Sequence, residues 1–430
     1  MNQSLSTVST FPISDFEMVK IKMLIWANRF NIFCFLDNQH YAMLPHSKEC
    51  LLAAGSSDMY EPQKGQALLH LQDWLDHKKG WVFGHLGYDL KNEIELLSSN
   101  NPDAILFPDI FFFRPKLVVQ LNDKEIIIES SVDPALIFKE ILSEENEQQY
   151  GKKDIEIKSR IEKKEYVSII NKLKEHIRRG DCYEINFCME FYSESTSIDP
   201  VHVYQKLSQH SPNPFSAFYK LQDKFLICAS PERYLKKEGS KILSQPIKGT
   251  AVRQINNEAA DRINKSALQQ SAKEKAENVM IVDLVRNDLS KICVAGTVQV
   301  DELFGVYSFP QVHQMISTIS GELEKNISFS EIIRATFPMG SMTGAPKKRV
   351  MELIEKYEKT KRGIFSGAVG YINPEGDFDF NVVIRSIMYN QSAEYLSYQA
   401  GSGITFQCNA EDEWEECLSK VATIKKLLTE

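Results

Sequence analysis

From Tyr166 the apolar residues Tyr166, Ile169, Ile170, Leu173 and Ile177 recur at spacings of three and four, the repeat of one buried stripe on an α-helix. Gly180, after Arg178 and Arg179, stops it. The period then changes to two. Tyr183, Ile185, Phe187, Met189 and Phe191 alternate with Cys182, Glu184, Asn186, Cys188 and Glu190, predicting a strand with one apolar and one largely polar face. Glu184 and Asn186 therefore point the same way. Similar patterns predict strands at 225–229, 367–372, 380–389 and 395–400, and helices near 257–288, 346–359 and 410–428. Strands and helices come in mixed order with hairpin-like pairs, which predicts an α+β fold with mostly antiparallel sheets.

Residues 143–165 are dense in both charge signs and poor in core residues, as suits an exposed join. The join separates residues 1–150, which carry few motifs, from residues 160–430, which carry most of the candidate chemistry. The chain has 430 residues, 43% hydrophobic and 25% charged, so a large core is available and disorder is excluded. Fifty basic against 58 acidic residues give a net charge of −8, which offers no global positive field for a nucleic acid. An anionic substrate would need local cations. The eight cysteines contain no C-x-x-C pair and sit mostly in apolar or strand-like runs, which reads as reduced thiols of a cytoplasmic protein. The most apolar N-terminal stretch, 23–36, is broken by Asn28, Arg29 and Asn31, so neither a signal segment nor a membrane span is expected.

Three constellations could carry chemistry. Ser230-Pro231-Glu232-Arg233 closes a strand, and Lys248 follows in Gln245-Pro246-Ile247-Lys248-Gly249-Thr250. A lysine held in a desolvated turn loses its proton more easily and becomes a nucleophile or base, with a nearby carboxyl as proton donor. A plain surface lysine, or a Schiff-base lysine, fits the spacing too. Glu274 with Glu277, and Glu413 with Glu416, each lie on one helical face, and Lys420 joins the second pair. Two such faces meeting would make a hard oxygen site for Mg²⁺, although Glu352 and Glu355 show the same spacing on what reads as a solvated helix. The third is glycine chemistry: Gly340-Ser341-Met342-Thr343-Gly344-Ala345-Pro346, and Gly401-Ser402-Gly403. Both offer bare backbone to an anion and both read equally as turns; neither has Walker or Rossmann spacing. Arg385, among apolar strand residues, needs a carboxylate from the protein or from a ligand. His313 reads by itself as a satisfied histidine.

The ordered series GDCYEIN (180–186), SPER, PIKGT, KAENVMIVDLVRNDL (275–289), FPMGSMTGAPK, GAVGY, IRS, GSGI and ExxExxxK (413–420) resembles the chorismate-utilising enzymes, densely over 160–430 and more thinly through GHLGYDL before it. The resemblance implies two antiparallel β-sheets packed as a sandwich with helices outside. It also implies Mg²⁺ held by Glu277 and Glu416, with Glu274 and Glu413 nearby, facing the ring carboxylate of chorismate. Arg385, Gly401, Gly403 and Lys420 would hold carboxylates, and Gly249, Thr250, His313 and Ser341 would surround the ring.

Lys248 points to one branch of that family. Anthranilate synthases have Ala there, whereas PIKGT resembles the aminodeoxychorismate synthases, in which the lysine attacks C2 as the C4 hydroxyl leaves with help from an acid matching Glu232. Ammonia then adds at C4 and expels the lysine. The product is 4-amino-4-deoxychorismate, a precursor of 4-aminobenzoate and folate, and the ammonia comes from a separate glutaminase subunit. Partners implied are thus chorismate, ammonia and that glutaminase, with no nucleic acid and no membrane. Three positions depart from the pattern: Glu184 replaces a usual Gln, Phe365 replaces the Tyr of anthranilate synthases, and Ala251-Val252 precede Arg253. The competing readings are an anthranilate synthase large component and a non-catalytic binding protein of the same family.

Overall fold

The computed structural model describes residues 7–41, 48–63, 65–145 and 155–429. The helix predicted from Tyr166 spans Lys163–Arg178 and buries Tyr166, Ile169, Ile170 and Leu173, each contributing about 1.5–3 kcal/mol by leaving water. The strand after it spans Glu184–Ser193, but its polar face is not a surface. Both faces are buried, because Glu184, Asn186 and Glu190 find partners inside the molecule. Two predicted elements are divided. The helix near 257–288 is two helices, Glu258–Gln270 and Ala272–Ser290, because Ser271 leaves helical geometry and its hydroxyl accepts from the Glu274 N–H at 3.3 Å. The strand at 380–389 is Phe378–Asn381 and Ser386–Asn390, separated where Arg385 takes a left-handed φ of 53°.

Among the described residues the strands join into one hydrogen-bonded network of twenty, in which every pairing is antiparallel. The network folds into layers, visible in which core each side chain enters. Along Ile32–Asp37, Ile32 and Cys34 enter one core while Phe33 and Phe35 enter the other, as period two requires. The first core also takes Phe83, Leu235, Ile242, Ala368 and Phe380 from facing strands, and it is closed by Ile281, Val285 and Ile332 from the helices Ala272–Ser290 and Phe329–Thr336. The second takes Leu24, Ile137, Ile170, Leu207, Ile354 and Cys417 from six other helices. This is the expected α+β sandwich with helices outside, with its layers hydrogen-bonded into a single network rather than separate.

The segments before and after the join are interleaved. Ile32–Asp37 pairs with Phe215–Leu221, and Val82–Leu86 pairs with Ala368–Ile372. Residues 146–154 of the join lie outside the described residues. All eight cysteines are buried and free. No helix of the described residues is long and apolar enough to cross a membrane.

Candidate active site

Lys248 lies on the strand Ile247–Val252, whose register against Val312–Glu322 shifts between Ile247 and Thr250. That irregularity, with Gly249 at φ +95°, turns the lysine into a cavity of about 470 Å³, within the usual ~300–1,000 Å³ of small-molecule sites. Its Nζ donates to Glu184 Oε1 at 2.5 Å. The expectation of an easily deprotonated lysine is corrected here. Burial opposes the charge, but the carboxylates of Glu184, Glu277 and Glu416 outweigh it and hold the ammonium above the ordinary lysine range. Sequence spacing gave no sign that Glu184, sixty-four residues earlier, faces Lys248.

Glu232 follows the strand Lys224–Ser230 and lines the same cavity. It is 4% exposed, and Ser341, on the turn Gly340–Met342, donates its hydroxyl to Oε1 at 2.6 Å. Burial pushes its carboxyl up to about 7, while the Ser341 hydrogen bond, the Lys248 charge and the Ile247 N–H pull it back. A carboxyl half-protonated near neutral pH, beside a cavity, suits a proton donor.

The four glutamates come from two helices, Ala272–Ser290 and Ala410–Thr429. Glu274, Glu277 and Glu416 line the cavity, whereas Glu413 is 2% exposed and stands behind it. Burial and neighbouring acids push Glu277 up to about 7 and raise Glu274 and Glu413, while Lys420 holds Glu416 down despite its burial. Lys273, which the sequence reading passed over, lies 3.9 Å from Glu277 and 3.6 Å from Glu413. Its signal was the i, i+4 spacing to Glu277. Glu277 Oε1 is buried and accepts no hydrogen bond. Excess buried negative charge on hard oxygen donors fits a divalent cation such as Mg²⁺. As the side chains stand, no three acidic, His or Cys groups among the described residues converge closely enough to hold one. Of the comparison pair, exposed Glu352 binds Arg349 at 2.8 Å, whereas Glu355 is partly buried and lies 3.4 Å from the buried Lys91.

Gly401 and Gly403 lie side by side on the strand Tyr395–Ile404 and form one wall. A Cβ on Gly403 would meet Lys248 Nζ at 2.7 Å and Glu184 Oε1 at 2.9 Å, so only a glycine leaves room for the ion pair. Arg385 lines the cavity; Nη1 donates to the Lys420 carbonyl at 2.8 Å, and among the described residues it forms no ion pair. A guanidinium so placed is available to a carboxylate ligand. Lys420 Nζ bridges the Glu416 carboxylate at 2.6 Å and the Gly401 carbonyl at 2.8 Å. Thr250 and Ser341 also line the cavity, with Phe365 and Asn186. His313 does not: its buried ring lies 2.9 Å from Ser308 Oγ and 3.1 Å from Asp261 Oδ1, a satisfied histidine beneath the wall.

A family of chorismate binding enzymes matches residues 30–426, almost the whole chain, and the chain belongs to it. Within that family, aminodeoxychorismate synthase component 1 of Salmonella typhimurium is 34% identical over 349 residues, covering 80% of this chain and 76% of that protein. Anthranilate synthase component 1 of Saccharolobus solfataricus is 32% identical over 355 residues, covering 81% and 80%. The fold is that of the crystal structure of anthranilate synthase component I from Streptococcus pneumoniae, with a TM-score of 0.78 over 91% of this chain and 95% of that one, at 24% identity. The protein is accordingly a chorismate-utilising enzyme.

Proposed function

We propose that the protein aminates chorismate at C4 to give 4-amino-4-deoxychorismate for 4-aminobenzoate and folate synthesis, acting in the cytoplasm with ammonia from a glutaminase partner. The observation that carries this reading is Lys248 itself: a primary amine opening into the cavity beside a carboxyl that is part-protonated at neutral pH. In the relatives' two activities, only amination at C4 with covalent help has a use for both. Relatives called component 1 support the need for a second component. Eight buried cysteines, none of them paired, agree with a reducing compartment.

Mg²⁺, held by Glu277 and Glu416 with Glu274 and Glu413 nearby, would supply positive charge for the ring carboxylate. The chain's own groups do the rest. Arg385 and Lys420 hold carboxylate, Gly249, Thr250, Gly401 and Gly403 offer close backbone, and Ser341 fixes the Glu232 carboxyl. The Lys248 amine attacks C2, the ring double bonds shift, and the C4 hydroxyl takes the Glu232 proton and leaves as water. Ammonia then adds at C4, the double bonds shift back, and the C2–N bond to lysine breaks.

The test is to incubate the purified protein with chorismate, Mg²⁺ and an ammonium salt and to identify products by mass spectrometry. The expected product is aminated and keeps its enolpyruvyl group, and Lys248→Ala is expected to abolish it. Anthranilate with pyruvate would overturn the proposal in favour of the other activity among its relatives, and product formation by Lys248→Ala at the wild-type rate would remove the covalent step.

A further inference from the structure

Resting on that reading, we propose that Glu184 is the proton acceptor for Lys248, taking the ammonium proton before attack and returning it when the amine is released. The geometry is that of a closed pair. Lys248 Nζ and Glu184 Oε1 are 2.5 Å apart, Glu184 is 1% exposed, and the absent side chain of Gly403 leaves the space that both atoms occupy. Glu184 is fixed from behind, since the strand Glu184–Ser193 pairs at Ala345 and the Glu184 carbonyl lies against Gly344. Glu184 Oε2 is buried and has no hydrogen-bond partner. Lys248 is thus the one hydrogen-bond donor that the Glu184 carboxylate has among the described residues.

The other charged groups around the amine leave Glu184 as the acceptor. Glu277 and Glu416 act on Lys248 only through space, Glu232 is the acid for the leaving hydroxyl, and Lys273 and Lys420 are engaged with carboxylates of the two helices. Glu274 faces Gly249, where an added Cβ would lie 3.0 Å from its Oε2.

The protons balance. The ammonium passes one proton to Glu184, leaving a neutral amine and a neutral acid. The amine lone pair makes the C2–N bond, giving a secondary ammonium, while the C4–O bond breaks and water leaves with the Glu232 proton. Ammonia makes the C4–N bond, the lysine departs as a neutral amine, and the new ammonium returns a proton to Glu232. Glu184 then reprotonates Lys248. The proton never leaves the pair for solvent, so the amine is activated at a pH far below that at which water would deprotonate it.

The experiment compares wild type with Glu184→Gln at a fixed concentration of free ammonia, with chorismate and Mg²⁺, between about pH 6 and pH 9. The ratio of variant to wild-type kcat is the readout, because titration of Glu232 cancels from it. The expected ratio lies well below one at neutral pH and rises with pH, since the variant's lysine must lose its proton to solvent. Recovery at high pH shows that the variant is folded, and its chorismate KM is expected to stay within about twofold. A ratio independent of pH, or one above unity at neutral pH, would make Glu184 a plain counter-ion and overturn the proposal. Failure of the wild type to aminate chorismate would instead overturn the proposed function.

Discussion

Glu232 couples the chemistry of the site to its stability. Its folded-state value of about 7 lies above the ordinary 4.5, so between those values the folded protein holds a proton that the unfolded chain has released. Stability from this group is therefore present below about pH 4.5 and is lost as pH rises towards 7. Glu232→Gln keeps an acceptor for the Ser341 hydroxyl and removes the ionisation. Its melting temperature relative to wild type is expected to rise as pH goes from about 5 to 8, in calorimetry at each pH, while activity falls roughly 10²–10⁴-fold. A melting difference constant with pH would mean that Glu232 is already ionised in the folded protein. At this scale the sequence announced the residue types but not their partners. Lys248 and Glu232 were legible from their motifs; the ion pair with Glu184 was not, because its two halves come from different strands brought together by the sheet.

Two glycines on the strand Tyr395–Ile404 separate folding from function. A Cβ on Gly401 would collide with Cys188 Sγ and meet the Phe187 carbonyl at 2.7 Å, atoms of the paired strand and core that cannot move aside freely. One on Gly403 would meet the ends of two flexible side chains. Gly401→Ala is therefore expected to cost about 1–3 kcal/mol in denaturant unfolding, and Gly403→Ala to leave stability nearly unchanged while sharply lowering kcat. Equal effects of both on unfolding would show that the Lys248–Glu184 pair is itself a stability element. The helices Ala272–Ser290 and Ala410–Thr429 make the second contribution at this scale. Their carboxylates repel one another, with Lys273 between Glu277 and Glu413 as partial relief. Millimolar Mg²⁺ is expected to raise the melting temperature of the wild type, and a chelator to reverse it, with the response lost in Glu277→Gln. No shift in the wild type would remove the proposed cation from these helices.

The whole molecule joins what the sequence divides. Ile32–Asp37 and Val82–Leu86 lie among strands from beyond residue 200, and both cores draw side chains from either side of the join. Residues 160–430 expressed alone would leave two strand edges unpaired and both cores without the side chains that residues 1–150 supply, so the fragment is expected to be unfolded or aggregated. Circular dichroism and a cooperative melt of that fragment would be the contrary result. Co-expression with residues 1–150 is expected to restore the cooperative transition if the two pieces associate.

The sequence by itself determined the family and most of the elements: the helix through Tyr166, the strand carrying Glu184, the α+β class and the ordered motifs are all carried by local periods and short runs of residues. Tertiary structure decided everything that depends on electrostatics at a distance. It placed His313 behind the wall, Lys273 among the glutamates, and Glu184 against Lys248, reversing the expected sense of the lysine's shift. The reason is physical: a residue's period says which way its side chain points, but its charge state depends on which other charges the fold brings within a few ångströms in a medium that screens them weakly.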